Sequence, residues 1–292
     1  MGICNGRTVI ITGAGGGLGR AYALAFAAEG ANVLVNDIRA DAAAAVVDEI
    51  VTQGGRAIAN SDDITRLDSA GRIVDAALSA FGEVHVLVNN AGVLADRMFV
   101  SLTEEDWDKV MQVHLRGHFC LANILARRWR DAAKAGKHVD ARIINTSSGA
   151  GLQGSVGQAN YAAAKGGIAS LTLVQAAELG RYGITANALA PAARTAMTQA
   201  AMPDVVKAPE DDSFDLWSAD NVAPLVVWLG SSLSAEVTGQ IIESQGGRIS
   251  LGDGWRTGET LDKGARWQVT EIGEAMSQLL GRAQPAQKVW GS

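Results

Sequence analysis

Tyr161 and Lys165 stand four positions apart in the run Tyr161-Ala-Ala-Ala-Lys165. On a helix that spacing puts a phenol and an ammonium on one face. An opposite charge nearby favours the ionised form, so the pair predicts a phenol of lowered pKa. A tyrosine titrating nearer neutrality is a usable acid or base. Ser148 lies a short way upstream, closing Asn145-Thr-Ser-Ser148, and its hydroxyl can hold an oxygen at such a centre. Near the start of the chain runs Thr12-Gly-Ala-Gly-Gly-Gly17-Leu-Gly19. Glycines let a backbone approach a pyrophosphate closely, and a helix opening there offers unpaired N–H groups and a positive dipole end. A proton-shuttling phenol combined with a phosphate cradle suggests hydride chemistry on an alcohol or ketone.

The dinucleotide contacts follow from the same logic. Gly13, Gly15, Gly16, Gly17, Leu18 and Gly19 directly follow an apolar run and open a helical pattern, the setting that turns a glycine motif into a binding signal. Their spacing is Gly-x-x-x-Gly-x-Gly; outside that setting it would be only a tight turn. Asp37 ends the second apolar run, where an acid hydrogen-bonds ribose hydroxyls and repels a 2′-phosphate, which favours NAD over NADP. Arg39 pulls the other way, and a helix N-cap is the plainer reading of Asp37. Asp63 and Ile64, after the third run, offer a side-chain acceptor and a backbone group to an adenine. Asn89-Asn90-Ala91-Gly92 closes the fourth run with amides and small residues suited to a chain passing close to the adenosine.

Positioning these groups requires alternating strands and helices. Apolar, β-rich runs at 8–11, 32–36, 57–60, 84–89, 141–145, 184–189 and 240–243 alternate with helical stretches at 17–29, 40–53, 67–81, 103–135, 157–182 and 219–229. Several runs are nearly all apolar, as strands covered on both faces should be. The pattern predicts an α/β chain with one Rossmann-type, doubly wound domain: a seven-stranded parallel sheet flanked by helices. Thr103, followed by Glu105 and Asp106, suits a helix start. The catalytic domain is expected over 1–247, with a substrate loop at 191–217 and an extension at 248–292 packing on the domain or on a neighbouring subunit. The extension's Trp255, Trp267 and Trp290 predict rings buried somewhere. Met197, Met202, Phe214 and Trp217 either line an apolar cavity or pack the loop on the domain.

Composition sets the outer limits. The 292 residues are 48% hydrophobic and 19% charged, ordinary for a globular chain with a full core. A net charge of −6 argues against a nucleic-acid partner, and Arg127-Arg128-Trp-Arg130 reads as a solvated helix end. Cys4 and Cys120 lack the spacing of a zinc site or a disulfide framework, so no metal is expected. No apolar run approaches the ~20 residues of a membrane span, no signal peptide is evident, and a residue other than Ser or Thr at position 6 argues against myristoylation at Gly2. A cytoplasmic protein is the expectation.

Together these motifs resemble the short-chain dehydrogenase/reductase family, over nearly the whole chain up to Gly247. The resemblance implies that Ser148 holds the substrate oxygen, Tyr161 is the acid/base, and Lys165 binds the nicotinamide ribose and tunes Tyr161. Two departures stand out. The family's Asn in a phrase like Asn-Leu-x-Gly is here His114-Leu-Arg-Gly117: an imidazole for the proton relay, or a helical histidine with a satisfied backbone partner. The family's Pro-Gly after the sixth strand is Pro191-Ala192, with Thr195 a few residues on as the expected carboxamide or phosphate contact.

Asp106–Gly117, Gly149–Gly167 and Val222–Leu229 are further similar to the (3R)-hydroxyacyl-CoA dehydrogenase modules of multifunctional β-oxidation enzymes and their stand-alone bacterial relatives. The implied reaction is NAD-dependent interconversion of a secondary alcohol and a ketone, on a 3-hydroxyacyl-CoA or steroid-type substrate. Arg194 is a candidate for meeting the anionic part of a CoA ester. The rival readings are an NADPH-dependent ketoreductase and a non-catalytic dinucleotide sensor. By resemblance, a homodimer or homotetramer is expected.

Overall fold

The computed structural model describes residues 2–201, 203–255, 257–284 and 287–292. Strands β1 (Thr8–Thr12), β2 (Asn32–Asn36), β3 (Arg56–Asn60), β4 (Val86–Asn89), β5 (Ala141–Thr146), β6 (Ile184–Pro191), β7 (Ile241–Gln245) and β8 (Arg248–Leu251) form one sheet in the order β3-β2-β1-β4-β5-β6-β7-β8. Pairing is parallel from β3 through β7, and β8 returns antiparallel to β7 with Gln245 opposite Arg248. The predicted seven-stranded sheet therefore has an eighth strand. It escaped the pattern because alternate positions Ile249 and Leu251 are 63% and 67% exposed, so no core-facing periodicity marks them.

Period-2 alternation along each central strand builds two cores. Val9, Ile11, Val33, Val35, Val86 and Val88 face one side, against helices α1 (Gly17–Ala28), α2 (Ala40–Thr52) and α9 (Ala223–Gly230). Ile10, Leu34 and Leu87 face the other, against α3 (Leu67–Phe81) and α5 (Gly117–Lys134), with the end of α7 (Ala159–Leu179) completing that layer. Strand order reverses between β1 and β4, and ligands of open α/β sheets bind in the crevice at the strand ends beside such a switch. The glycine turn after β1 and the Asn89–Gly92 segment after β4 both end there.

The helix expected over 103–135 is interrupted. Thr103 caps α4 (Glu104–Met111) by accepting from the Asp106 amide at 3.1 Å, as its sequence suggested. A π-helical turn, Gln112–Arg116, then leads into α5, and His114 sits within it. Such insertions concentrate at functional sites. Unanticipated helices are α6 (Gly149–Gln153), α8 (Ala196–Ala201) and α10 (Val269–Arg282). Against expectation none of the late tryptophans is buried: Trp267 and Trp290 are partly exposed, and Trp255 is fully exposed because the stretch around it lacks regular structure and no described element covers it. Both cysteines are buried and unpaired, Cys120 inside the second core.

Candidate active site

The cofactor turn is built by backbone crowding. Gly13 and Gly17 adopt φ of +61° and +51°, left-handed values that other residues take only under strain. A Cβ on Gly13 would lie 2.7 Å from the Ala91 Cα, and one on Gly19 2.3 Å from the Gly13 carbonyl oxygen. Thr12 and Asn90 lock the two loops together. The Thr12 hydroxyl accepts from the amides of Asn90 (3.0 Å) and Ala91 (3.1 Å). The Asn90 side-chain amide donates to the carbonyls of Thr12 (2.9 Å) and Gly13 (3.2 Å). α1 opens at Gly17 without a side-chain cap, so its first turn is free to meet an anion. Close-packed glycines and an uncapped helix start fit a pyrophosphate.

Asp37 is buried at the end of β2. One carboxylate oxygen accepts from the Gly15 amide at 3.0 Å; the other accepts from the backbone and side chain of Arg39. Asp63 folds onto its own turn, accepting from the Thr65 amide (2.8 Å) and hydroxyl (2.9 Å). Ile64 is buried against the point where a Gly117 Cβ would stand. Thr195 reaches the glycine turn, its methyl 3.3 Å from where a Gly17 Cβ would be. Leu18 packs on the first core. Pro191, at the end of β6, lines the adjoining cleft.

Ser148 and Tyr161 meet in that cleft, where the Ser148 side chain faces the Tyr161 hydroxyl and favours its ionised form. Ser148 caps α6, its oxygen accepting from the Ala150 amide at 3.2 Å. Ser147 points away and donates to the Lys165 carbonyl at 2.8 Å, which separates the two neighbouring serines. Lys165 lies on the Tyr161 face of α7, its Nζ 5.5 Å from the ring centroid and donating to the Thr146 carbonyl at 2.6 Å. The His114 and Tyr161 rings meet edge-on, centroids 5.2 Å apart.

The electrostatics correct one expectation. The phenol of Tyr161 is raised, not lowered: burial disfavours its ionised form, and the neighbouring Ser148 side chain only partly offsets this. Burial also brings Lys165 down to about 7, so near neutrality much of the charge meant to pull on the phenol is lost. His114 is pushed down to about 3 by burial and the Lys165 ammonium, and His118 falls well below the usual imidazole range for the same reasons. His114 Nε2 lies 2.8 Å from the Val93 carbonyl oxygen and 3.0 Å from the Val93 amide, while its Nδ1 is buried without a partner.

The cleft encloses about 840 Å³, with Leu94, Met98, Met197 and Trp217 among its apolar lining. Phe214 is exposed instead of lining it, and Met202 lies outside the described residues. Arg194 is not free to meet an anion: its guanidinium is ion-paired with Asp215 and donates to the Val206 carbonyl at 3.0 Å, bracing the loop. Asn160 escaped sequence reasoning. Fully buried, it donates to the Ala95 and Asp106 carbonyls and accepts from the Tyr161 amide at 2.8 Å, fixing the start of α7. Its place immediately before Tyr161 was the available signal.

The chain belongs to the short chain dehydrogenase family, whose model matches residues 7–205. It is an oxidoreductase acting on CH–OH groups with a nicotinamide dinucleotide. It is 46% identical over 257 residues to hydroxyacyl-CoA dehydrogenase ChsB1 of Mycobacterium tuberculosis, covering 85% of this chain and 80% of that one. It is 41% identical to the peroxisomal multifunctional enzyme type 2 of Mus musculus over 86% of this chain, which spans only 32% of that enzyme. A crystal structure of a short chain dehydrogenase from Mycobacterium avium superposes with a TM-score of 0.92 at 52% identity, over the full length of both chains.

Proposed function

We propose that the protein is an NAD-dependent 3-hydroxyacyl-CoA dehydrogenase that oxidises a secondary alcohol to a ketone, with Tyr161 as the acid/base. The observation that carries this reading is the Ser148 side chain facing the Tyr161 hydroxyl in a cleft large enough for a substrate, with Lys165 over the same ring. Similarity to a hydroxyacyl-CoA dehydrogenase and a peroxisomal multifunctional enzyme supports the substrate class. The buried Asp37 carboxylate beside the glycine turn, unfavourable to a 2′-phosphate, supports NAD.

Ser148 orients the alcohol oxygen and donates to charge developing on it, an effect that can reach a few kcal/mol. Tyr161 takes the hydroxyl proton. A dinucleotide held at the glycine turn would supply the hydride acceptor and, when oxidised, a positive charge favouring the phenolate. Lys165 would hold the ribose and, when protonated, favours that phenolate too. His114 fixes the Tyr161 ring and offers its unpartnered Nδ1 for relaying a proton. Asp63, Ile64 and Asn90–Gly92 would flank the adenosine, and Pro191 and Thr195 would serve the nicotinamide half.

The division into a catalytic unit at 1–247 and an extension at 248–292 is part of the same proposal, as is a homo-oligomer. Exposed Phe119, Leu173 and Val174, together with Ile249 and Leu251, supply apolar surface for subunit contacts. Two unpaired cysteines suit a reducing cytosol. No described helix is long and apolar enough to cross a membrane.

Following reduced-nicotinamide absorbance with 3-hydroxyacyl-CoAs and hydroxysteroids tests the proposal. Turnover of the thioesters with NAD is the expected outcome. Activity on hydroxysteroids alone, or with NADP alone, would replace it.

A further inference from the structure

We infer that residues 287–291 form a strap closing one wall of the substrate cleft, and that Trp290 sets the size of the group accepted beside the reacting carbon. The inference deepens the alcohol-oxidation reading and rests on it for the identity of the cleft. The strap is bonded to the segment that follows α6. Trp290 pairs with Ser155 in a parallel bridge; its carbonyl accepts from the Val156 amide at 2.9 Å, and its amide donates to the Gly154 carbonyl at 3.4 Å. The Gln287 side chain donates to Gln153 at 2.5 Å, and Val289 rests against Gly154.

The indole lands on Gly149. A Cβ there would stand 2.3 Å from the ring's Cη2 and 2.7 Å from Cζ2, so the ring occupies the place of the side chain that the residue after Ser148 lacks. Because Ser148 and Tyr161 face each other in the cleft, the aromatic edge stands one residue from that pair. Trp290 and Gly291 line the same cleft as Ser148, Tyr161 and Pro191. The ring is nonetheless 49% exposed, leaving surface available to a ligand. A rigid aromatic wall at that distance acts on substituents near the carbinol carbon, and one methylene in such a pocket changes selectivity by roughly 10- to 200-fold.

The test compares kcat/KM for straight-chain and 2-methyl-branched 3-hydroxyacyl-CoAs in the wild type, Trp290→Ala and Trp290→Phe. Trp290→Ala is expected to raise the branched-to-straight ratio by roughly tenfold or more, with Trp290→Phe between it and the wild type. An unchanged ratio in Trp290→Ala overturns the inference. NADH binding, followed by its fluorescence, verifies that each variant is folded. Hydrogen exchange gives a readout free of substrate: the Val156 amide should exchange slowly in the full chain and fast in a chain ending at Ala283. Fast exchange in the full chain also overturns the strap. If the wild type oxidises no acyl-CoA, the substrate assignment falls, and the ratio is read on small and bulky members of whichever secondary alcohols it does oxidise.

Discussion

The imidazole of His114 and the ring of Tyr161 stand at 89° to one another with centroids 5.2 Å apart. The contact exists because the π-helical turn carries His114 inward and because Gly92 has no side chain: a Cβ there would lie 2.5 Å from the imidazole Cε1. One glycine in the cofactor-side loop thus makes room for the group that abuts the tyrosine. Replacing His114 with Leu removes both the edge contact and the ring nitrogens. We expect kcat to fall by up to about 10²-fold, the scale of an ångström of misplacement, with NAD affinity little changed. Equal losses in His114→Leu and His114→Asn would point to position alone, and recovery in His114→Asn to a hydrogen-bonding role. Steady-state kinetics of the two variants decides.

Tyr161→Phe should lower kcat by about 10²–10⁴-fold, the usual range for a general acid/base, and leave NAD binding nearly intact. Residual activity above that range would mean that another residue moves the proton. In the wild type, the raised phenol makes kcat/KM for oxidation climb with pH above neutrality, which a pH–rate profile measures.

Acid stability follows from the two buried imidazoles. His114 binds its proton at about 3 in the folded chain and near the ordinary 6.5 when unfolded. Between those values the unfolded chain carries the extra proton, so stability is full above 6.5 and is lost as pH falls toward 3. One such group contributes about 1.4 kcal/mol per pH unit in that window. His118 adds a slope of the same sign. Denaturant melts of His114→Gln between pH 4 and about 7 should show a shallower dependence than the wild type.

Asp37→Ala should widen cofactor choice. It removes the charge that opposes a 2′-phosphate and frees the Arg39 guanidinium, but it also strips the Gly15 amide of its acceptor. The NADP-to-NAD ratio of kcat/KM is expected to rise at least about tenfold, given the cost of placing like charges together. NAD affinity should weaken at the same time. An unchanged ratio would show that selectivity lies elsewhere.

Gly13→Ala forces a left-handed φ of +61° on a residue with a Cβ and drives that Cβ to 2.7 Å from the Ala91 backbone. We expect a loss of about 1–3 kcal/mol of stability and weaker dinucleotide binding. Thermal melts with and without NAD measure both.

β1 to β7 and the helices covering them were legible because their side chains alternate between two cores or repeat along one helical face, as in Val33, Leu34 and Val35. β8 and α10 were not, since their exposed faces carry no burial pattern; α10 has Ala275 as its buried residue. α6 and α8 are too short for a period to show. Arg194 misled as a candidate for anions because its partner, Asp215, is brought to it by the fold of the loop.

The amino-acid order alone determined which groups are present and which share a local element: a glycine turn between strand and helix, an acid at the end of β2, and a phenol and an amine one helical turn apart. Those relations span a few residues, and backbone geometry fixes them. The tertiary structure decided how the groups behave. Burial raised Tyr161 and depressed Lys165 and His114, Ser148 rather than Ser147 met the phenol, and Trp290 arrived beside Gly149. Desolvation and contacts between distant segments depend on everything packed around a group, and no local spacing encodes them.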